Sequence, residues 1–229
     1  MKEFLAILQK CPLFLGMTEE NVRAVLGCLG AEAAGYAKRD LVLAEGEPAR
    51  NVGIVLSGGV QIVRMDYFGN RSILANIGPG GLFGESFACA GVEELPVSVV
   101  AVEDTQVLLI DCARITQTCS GACDFHQQMI YNLMKVVAGK NLIFHEKLEI
   151  TSKRTTRDKL LAYLALQAKK QDSAEFSVPF DRQELADYLE VDRSGLSAEI
   201  SKMKKEGLIR CEKNRFALLP ACREQLSVL

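Results

Sequence analysis

The chain contains no apolar run approaching the ~18 residues needed to cross a bilayer. Its first residues, Met1-Lys2-Glu3-Phe4-Leu5, also lack the long apolar core and small-residue cleavage site of a secretory signal. No membrane partner is therefore expected, and the expected compartment is the cytoplasm, where the eight cysteines are thiols. None of them forms a Cys-x-x-Cys unit, which argues against the common zinc and disulfide frameworks. The only two histidines, His126 and His145, are nineteen residues apart. On one helix that is about five turns, too far for one metal ion. There is no phosphate-binding P-loop, no Ser/His/Asp or Cys/His arrangement at useful spacing, and no carboxylate pair placed for acid/base work. No catalytic residue, metal ligand or cofactor is assigned, and an enzyme is not expected.

A surplus of charge is lacking too, at a formal net of -2, but the charge is unevenly spread. From Ile150 onward there are 15 Lys+Arg against 12 Asp+Glu, and before it 12 against 17. A mildly basic C-terminal part joined to an acidic N-terminal part suits a nucleic-acid-binding module with a neutral or acidic partner domain. With 229 residues, 48% of them hydrophobic, the chain is long for one average domain, and two are expected.

From about Lys38 to Ile115 the pattern is all-β. Short apolar runs such as Val52-Gly53-Ile54-Val55-Leu56, Val60-Gln61-Ile62-Val63 and Val107-Leu108-Leu109-Ile110 are separated by glycine-bearing turns, as in a barrel or roll. Short helices are expected before it, at about Glu3 to Leu8 and Glu19 to Leu29. From about Asp124 to Ile150 only Gly139 interrupts a helical stripe of Ile130, Leu133, Val137, Phe144 and Leu148. Such a long helix between domains would bury its stripe best against the same helix of a second chain, which predicts a homodimer. The polar stretch Thr151 to Thr156 is the expected hinge into a helix from Arg157 to Lys170.

Asp181 and Glu184 have the spacing of a capping box, and Leu185 and Leu189 follow at helical spacing, so one helix should run from Arg182 to Leu189. Asp192 is a good N-cap for a second, ending near Glu206, and Ala186 is small where the two must cross. Leu196, Ile200 and Met203 fall on one face of that second helix. Ser194, Ser197, Ala198, Ser201 and Lys205 fall on the other, free to enter a groove. Leu208 to Cys211 and Phe216 to Leu219, joined by Glu212-Lys213-Asn214-Arg215, predict a two-stranded wing with a basic tip. This is the pattern of a helix-turn-helix that reads double-stranded DNA.

Roll, long helix and winged helix-turn-helix in this order resemble the bacterial CRP/FNR (catabolite activator and FNR-type) family of transcription regulators. The specific carriers are Leu56-Ser57-Gly58-Gly59-Val60, the loop Gly80-Gly81-Leu82-Phe83-Gly84-Glu85-Ser86, and Asp181 to Ala186 followed by Asp192-Arg193-Ser194. The resemblance implies an α+β chain with three parts. Residues 1–123 would form a double-stranded β-helix (jelly-roll-like) sensor domain, 124–152 a dimerisation helix and hinge, and 153–229 a winged helix-turn-helix.

In family members that bind cyclic AMP, the Gly-Glu loop is followed ten residues later by an Arg-Ser pair that holds the cyclic phosphate. Here that spacing falls on Leu95-Pro96, and the polar pair that meets the adenine falls on Leu142-Ile143. Cyclic nucleotide binding is not expected, because a buried phosphate would lack its cation. Cys11 alone precedes the roll, where an iron–sulfur branch needs a cluster. Cys112, Cys119 and Cys123 form a looser set that could be a thiol switch, and either histidine could be a haem ligand. The expected effector pocket is bounded by Gly84, Glu85, Ser86, Leu95, Pro96, Leu142 and Ile143, apolar with one carboxylate, and suits a small organic effector.

The resemblance makes Arg193 the base-reading arginine, while Ser194 and Ala198 depart from the family's glutamate and second arginine, so the operator should differ. Arg182, Gln183, Ser197 and Ser201 are expected phosphate contacts, and Lys205 a further DNA contact. The expected partners are a palindromic operator, a second copy, a small-molecule effector and RNA polymerase. The rival readings are a ligand-binding regulatory module acting through protein partners and a redox- or haem-sensing regulator of the same family.

Overall fold

In a computed structural model, residues 4–116 and 124–222 are described. The chain forms two compact units, Met1–Leu142 and Ile143–Leu229. The first begins with helix α1 (Leu5–Lys10), a 3-10 turn (Pro12–Phe14) and helix α2 (Glu19–Leu29). Thr18 caps α2 by accepting from the Asn21 amide. Eight strands follow: β1 (Glu32–Tyr36), β2 (Leu41–Leu43), β3 (Asn51–Ser57), β4 (Val60–Met65), β5 (Arg71–Ile77), β6 (Leu82–Phe83), β7 (Ser98–Ala101) and β8 (Thr105–Asp111). One short helix, α3 (Glu85–Ala90), interrupts the run and another, α4 (Cys112–Thr116), follows it.

The strands form two four-stranded antiparallel sheets, in the orders β1-β8-β3-β6 and β2-β7-β4-β5. β3 explains why its sequence is apolar throughout rather than alternating. Val52, Ile54 and Leu56 point into a cluster with α1, α2, Leu108 and Ile110, whereas Val55 points into the roll with Val99, Val107 and Phe83. Gly58 closes the β3–β4 turn at φ 74°, and a Cβ there would stand 2.5 Å from the Asp104 carbonyl oxygen, so no other residue fits.

Helix α5 (Asp124–Thr151) spans 28 residues, and the division between the units falls within it. Met129 and Leu133 are buried against the α1–α2 cluster and Val137 packs on it, so this part of the stripe expected to meet a second chain is instead covered by the chain's own first unit. Buried Asn132 donates to the Leu13 and Leu15 carbonyls at 3.0 and 2.8 Å, fixing the 3-10 turn. Another row of α5, Tyr131, Met134 and Leu142, is exposed, as are Ile143, Phe144 and Leu148.

The second unit contains α6 (Thr156–Lys170), β9 (Glu175–Ser177), α7 (Arg182–Leu189), α8 (Arg193–Lys205), β10 (Ile209–Glu212) and β11 (Arg215–Leu218). The expected two-stranded wing is the outer part of a three-stranded antiparallel sheet, β10-β11-β9. β9 is only three residues long, Glu175-Phe176-Ser177, and leaves no period to read; it is held by Phe176 stacked on Phe216 at 6.5 Å. Leu160, Tyr163 and Leu164 of α6 are buried together with Leu185, Ala186 and Leu189 of α7 and Leu196, Ile200 and Met203 of α8. Phe180 and Tyr188 complete an aromatic group with Tyr163, with centroids 4.8–6.3 Å apart.

Candidate nucleic-acid interface and effector site

The turn between α7 and α8 is fixed from both sides. Asp181 and Glu184 make the full capping box at the start of α7. Glu190, after its last residue, adopts φ 54°, a left-handed conformation without glycine's freedom. Lys159 from α6 donates to the Leu189 and Glu190 carbonyls, both at 3.2 Å, satisfying the open end of the helix. The Asp192 side chain then accepts from the Gly195 amide at 3.0 Å and from the Ser194 hydroxyl, so α8 starts at one defined residue.

On α8 the expected separation of faces holds. Leu196, Ile200 and Met203 are buried; Arg193, Ser194, Ala198, Ser201 and Lys205 are exposed, and Ser197 is half-buried. Ser201 donates back to the Ser197 carbonyl at 2.9 Å. Glu199 in the middle of α8 and Glu206 just after its end are both engaged by Arg157 at the start of α6. It hydrogen-bonds Glu206 and lies 3.4 Å from Glu199 in an ion pair. Glu206 is held below the usual carboxylate range chiefly by that hydrogen bond, and the guanidinium is correspondingly raised. The remaining charged side chains of α8 are basic, Arg193 at one end and Lys202, Lys204 and Lys205 at the other, and the wing tip carries Lys213 and Arg215 beside Glu212.

Gln183 is exposed and donates to Asp187 at 2.7 Å. Arg182 is half-buried, its guanidinium 5.8 Å from the Phe216 ring centroid and donating to the Cys211 sulfur at 3.4 Å. It therefore ties α7 to the wing as well as lying at the start of α7.

In the roll, Gly84 has φ 78°, and a Cβ there would stand 2.7 Å from the Asn51 carbonyl oxygen. This turn sends the next side chain inward. Glu85 is 1% exposed, the only buried acid among the described residues. It is not the lone charged group of the apolar pocket expected from the sequence, because a cation meets it there. The Lys140 ammonium of α5 lies 2.9 Å from that carboxylate and donates to the Leu82 carbonyl at 2.6 Å, while the Ser86 hydroxyl donates to the carboxylate at 3.0 Å. Lys140 was legible in principle, since it follows Met129, Leu133 and Val136 at steps of four, three and four on the helix face that meets the roll.

Of the other expected pocket residues, Leu95 is buried beside Phe83, Phe87 and Val99, and Ser86 and Pro96 are exposed. Leu142 and Ile143 are 68% and 57% exposed. Cys119 and Cys123 lie outside the described residues, and Cys112 is buried. His126 is buried with Nε2 3.2 Å from the Arg114 carbonyl, a contact that puts the proton on Nε2, and His145 is exposed.

A roll with a buried acidic turn, followed by a long helix and a capped, winged helix-turn-helix with a basic outer face, defines an effector-domain regulator with a DNA-binding module. Residues 35–121 match the cyclic nucleotide-binding domain family, and residues 158–221 match the Crp-like helix-turn-helix domain family. The chain belongs to the CRP/FNR family, whose members are transcription regulators. It is 33% identical over 99 residues to the cyclic AMP receptor protein of Thermus thermophilus, a match that spans 43% of this chain and 44% of that protein, under half its length. Among solved structures, FixK2 of Bradyrhizobium japonicum shares the fold at 21% identity, TM-score 0.65, over 87% of this chain and 96% of its own. The c-di-GMP-responsive regulator CLP of Xanthomonas campestris shares it at 18% identity, TM-score 0.71, over 86% of this chain and 99% of its own.

Proposed function

We propose that this chain is a homodimeric, sequence-specific DNA-binding transcription regulator of the cytoplasm. The observation that carries the reading is the outer face of α8, where Arg193, Ser194, Ala198, Ser201 and Lys205 stand exposed while Arg157 neutralises the acids Glu199 and Glu206. Such a face offers a guanidinium fork, hydroxyls and a methyl group to base edges, and lysines to phosphates. The exposed row Tyr131, Met134 and Leu142 of α5 supports pairing with a second copy. A two-fold pair calls for a palindromic operator with half-sites ~34 Å apart, read from the major groove. RNA polymerase is the partner such a bound dimer would recruit or block. Among the described residues no helix is long and apolar enough to cross a membrane.

For the roll we propose a small effector other than a cyclic nucleotide. Where such a ligand's phosphate needs a cation, this chain has buried Leu95, and Lys140 is already engaged by Glu85 and the Leu82 carbonyl. Selection of duplexes from a random pool, followed by anisotropy titration over a salt series, tests the DNA reading. One palindromic motif should emerge, bound with an affinity that falls steeply as salt rises. Retention independent of salt, or no enriched motif, would overturn it in favour of a module acting through protein partners.

A further inference from the structure

Cys112 was grouped by sequence with Cys119 and Cys123, but its neighbour in the fold is Cys89, twenty-three residues earlier, with the two sulfurs 3.6 Å apart. The two thiols differ in environment. Cys89 lies near the end of α3 and is exposed, whereas Cys112 opens α4 and is 6% exposed. The backbone is anchored around each. The Cys112 amide donates to the Arg50 carbonyl at 2.9 Å, and α3 closes on Gly91 and Val92, whose amides donate to Ala88 and Phe87 at 3.3 Å. From 3.6 Å the sulfurs need to approach by roughly 1.5 Å to reach the ~2 Å of a covalent bond.

We propose that Cys89 and Cys112 are a redox-modification site, forming a reversible disulfide when a peroxide reaches Cys89. The exposed Cys89 sulfur attacks the peroxide; an S–O bond forms, the O–O bond breaks, and water leaves, giving a sulfenic acid on Cys89. The Cys112 sulfur then attacks the Cys89 sulfur. The S–S bond forms, the S–O bond breaks, and the hydroxide departs as a second water with the Cys112 proton. The two thiols give up two electrons and the peroxide accepts them.

The asymmetry of the pair fits this order. Burial first, and then the hydrogen bond and charge of Cys89 with the charge of Asp111, hold the Cys112 thiol well above its ordinary value, so it does not react first. Once Cys89 is oxidised its sulfur is the electrophile 3.6 Å from Cys112, which then acts as the resolving thiol. The bond ties the helix that begins with Glu85 to the segment leaving β8. The inference does not depend on DNA binding.

The experiment is graded exposure of the intact protein to hydrogen peroxide, alkylation under denaturing conditions, and peptide mapping by mass spectrometry. A single cross-linked peptide pair containing Cys89 and Cys112 should form before alkylation is lost at buried Cys11 or Cys222, and dithiothreitol should release it. In Cys112→Ser, dimedone should trap a sulfenic acid on Cys89; in Cys89→Ser, Cys112 should stay unlabelled at the same dose. The mapping of the unaltered protein decides the matter even if neither variant folds. Recovery of Cys112 as a free thiol while Cys89 passes on to sulfinic acid would overturn the proposal, as would a bond from Cys112 to Cys119 or Cys123.

Discussion

The two units treat their charged groups in opposite ways. On α8 the acids Glu199 and Glu206 are drawn to Arg157, and the cations and hydroxyls face outward. In the roll the one buried acid, Glu85, turns inward and meets a cation supplied by the same chain, Lys140. A surface that waits for a highly charged partner can leave its groups to water until that partner arrives. An interior site cannot hold an unmet charge, so the buried Glu85 carboxylate is paired with Lys140 of the same chain.

The largest effect that would test this contrast comes from Lys140→Met, which leaves Glu85 buried without a cation. Unfolding in urea should show a loss of about 3 kcal/mol, at the lower end for a broken buried pair because the Lys140 side chain is 26% exposed. Glu85→Gln in the same background should recover most of it, and an undiminished deficit in the double variant would show that the pair is not the cause. On the outer face, Arg193→Ala should cost about 1 to 3 kcal/mol on the selected operator and little on random duplex. Lys205→Ala should weaken all sequences alike and reduce the salt slope by about 1. Equal losses on cognate and random DNA for Arg193→Ala would erase the distinction between reading and positioning.

The smallest effect concerns the cap of α8. The Ser194 hydroxyl, then the Gly195 amide, hold the Asp192 carboxyl below its ordinary value of 3.8. Its folded value lies below its unfolded one, so its contribution is complete above that ordinary value and is lost as pH falls through the depressed one. Asp192→Asn should therefore flatten the stability profile of the protein below about pH 4 while changing its slope little near neutrality.

Long periodic elements were legible in the sequence. α2 and α7 span the residues expected of them, and α5 and α8 differ from expectation by a residue or so, because caps and apolar stripes mark them. β1, β6 and β9 were not, since Glu-Ala-Ala-Gly-Tyr, Leu-Phe and Glu-Phe-Ser have too few apolar positions to show a period and are strands only through their neighbours. α3 and α4 are likewise too short to announce themselves. The outer face of α8 was readable because one helix carries all of it. Glu85–Lys140 and Cys89–Cys112 were missed because each joins residues from different elements, 55 and 23 positions apart, a proximity that only the folded chain creates.

Lys147, in the last turns of α5, is 5% exposed and lies 4.7 Å from the Tyr188 ring centroid of α7, while Glu146 holds Lys170 of α6 at 2.6 Å. These two contacts key the end of the long helix to the winged module as a shaft is keyed to a gear. The last turns of α5 are therefore joined to α6 and α7 by side chains as well as by the polar connector after Thr151.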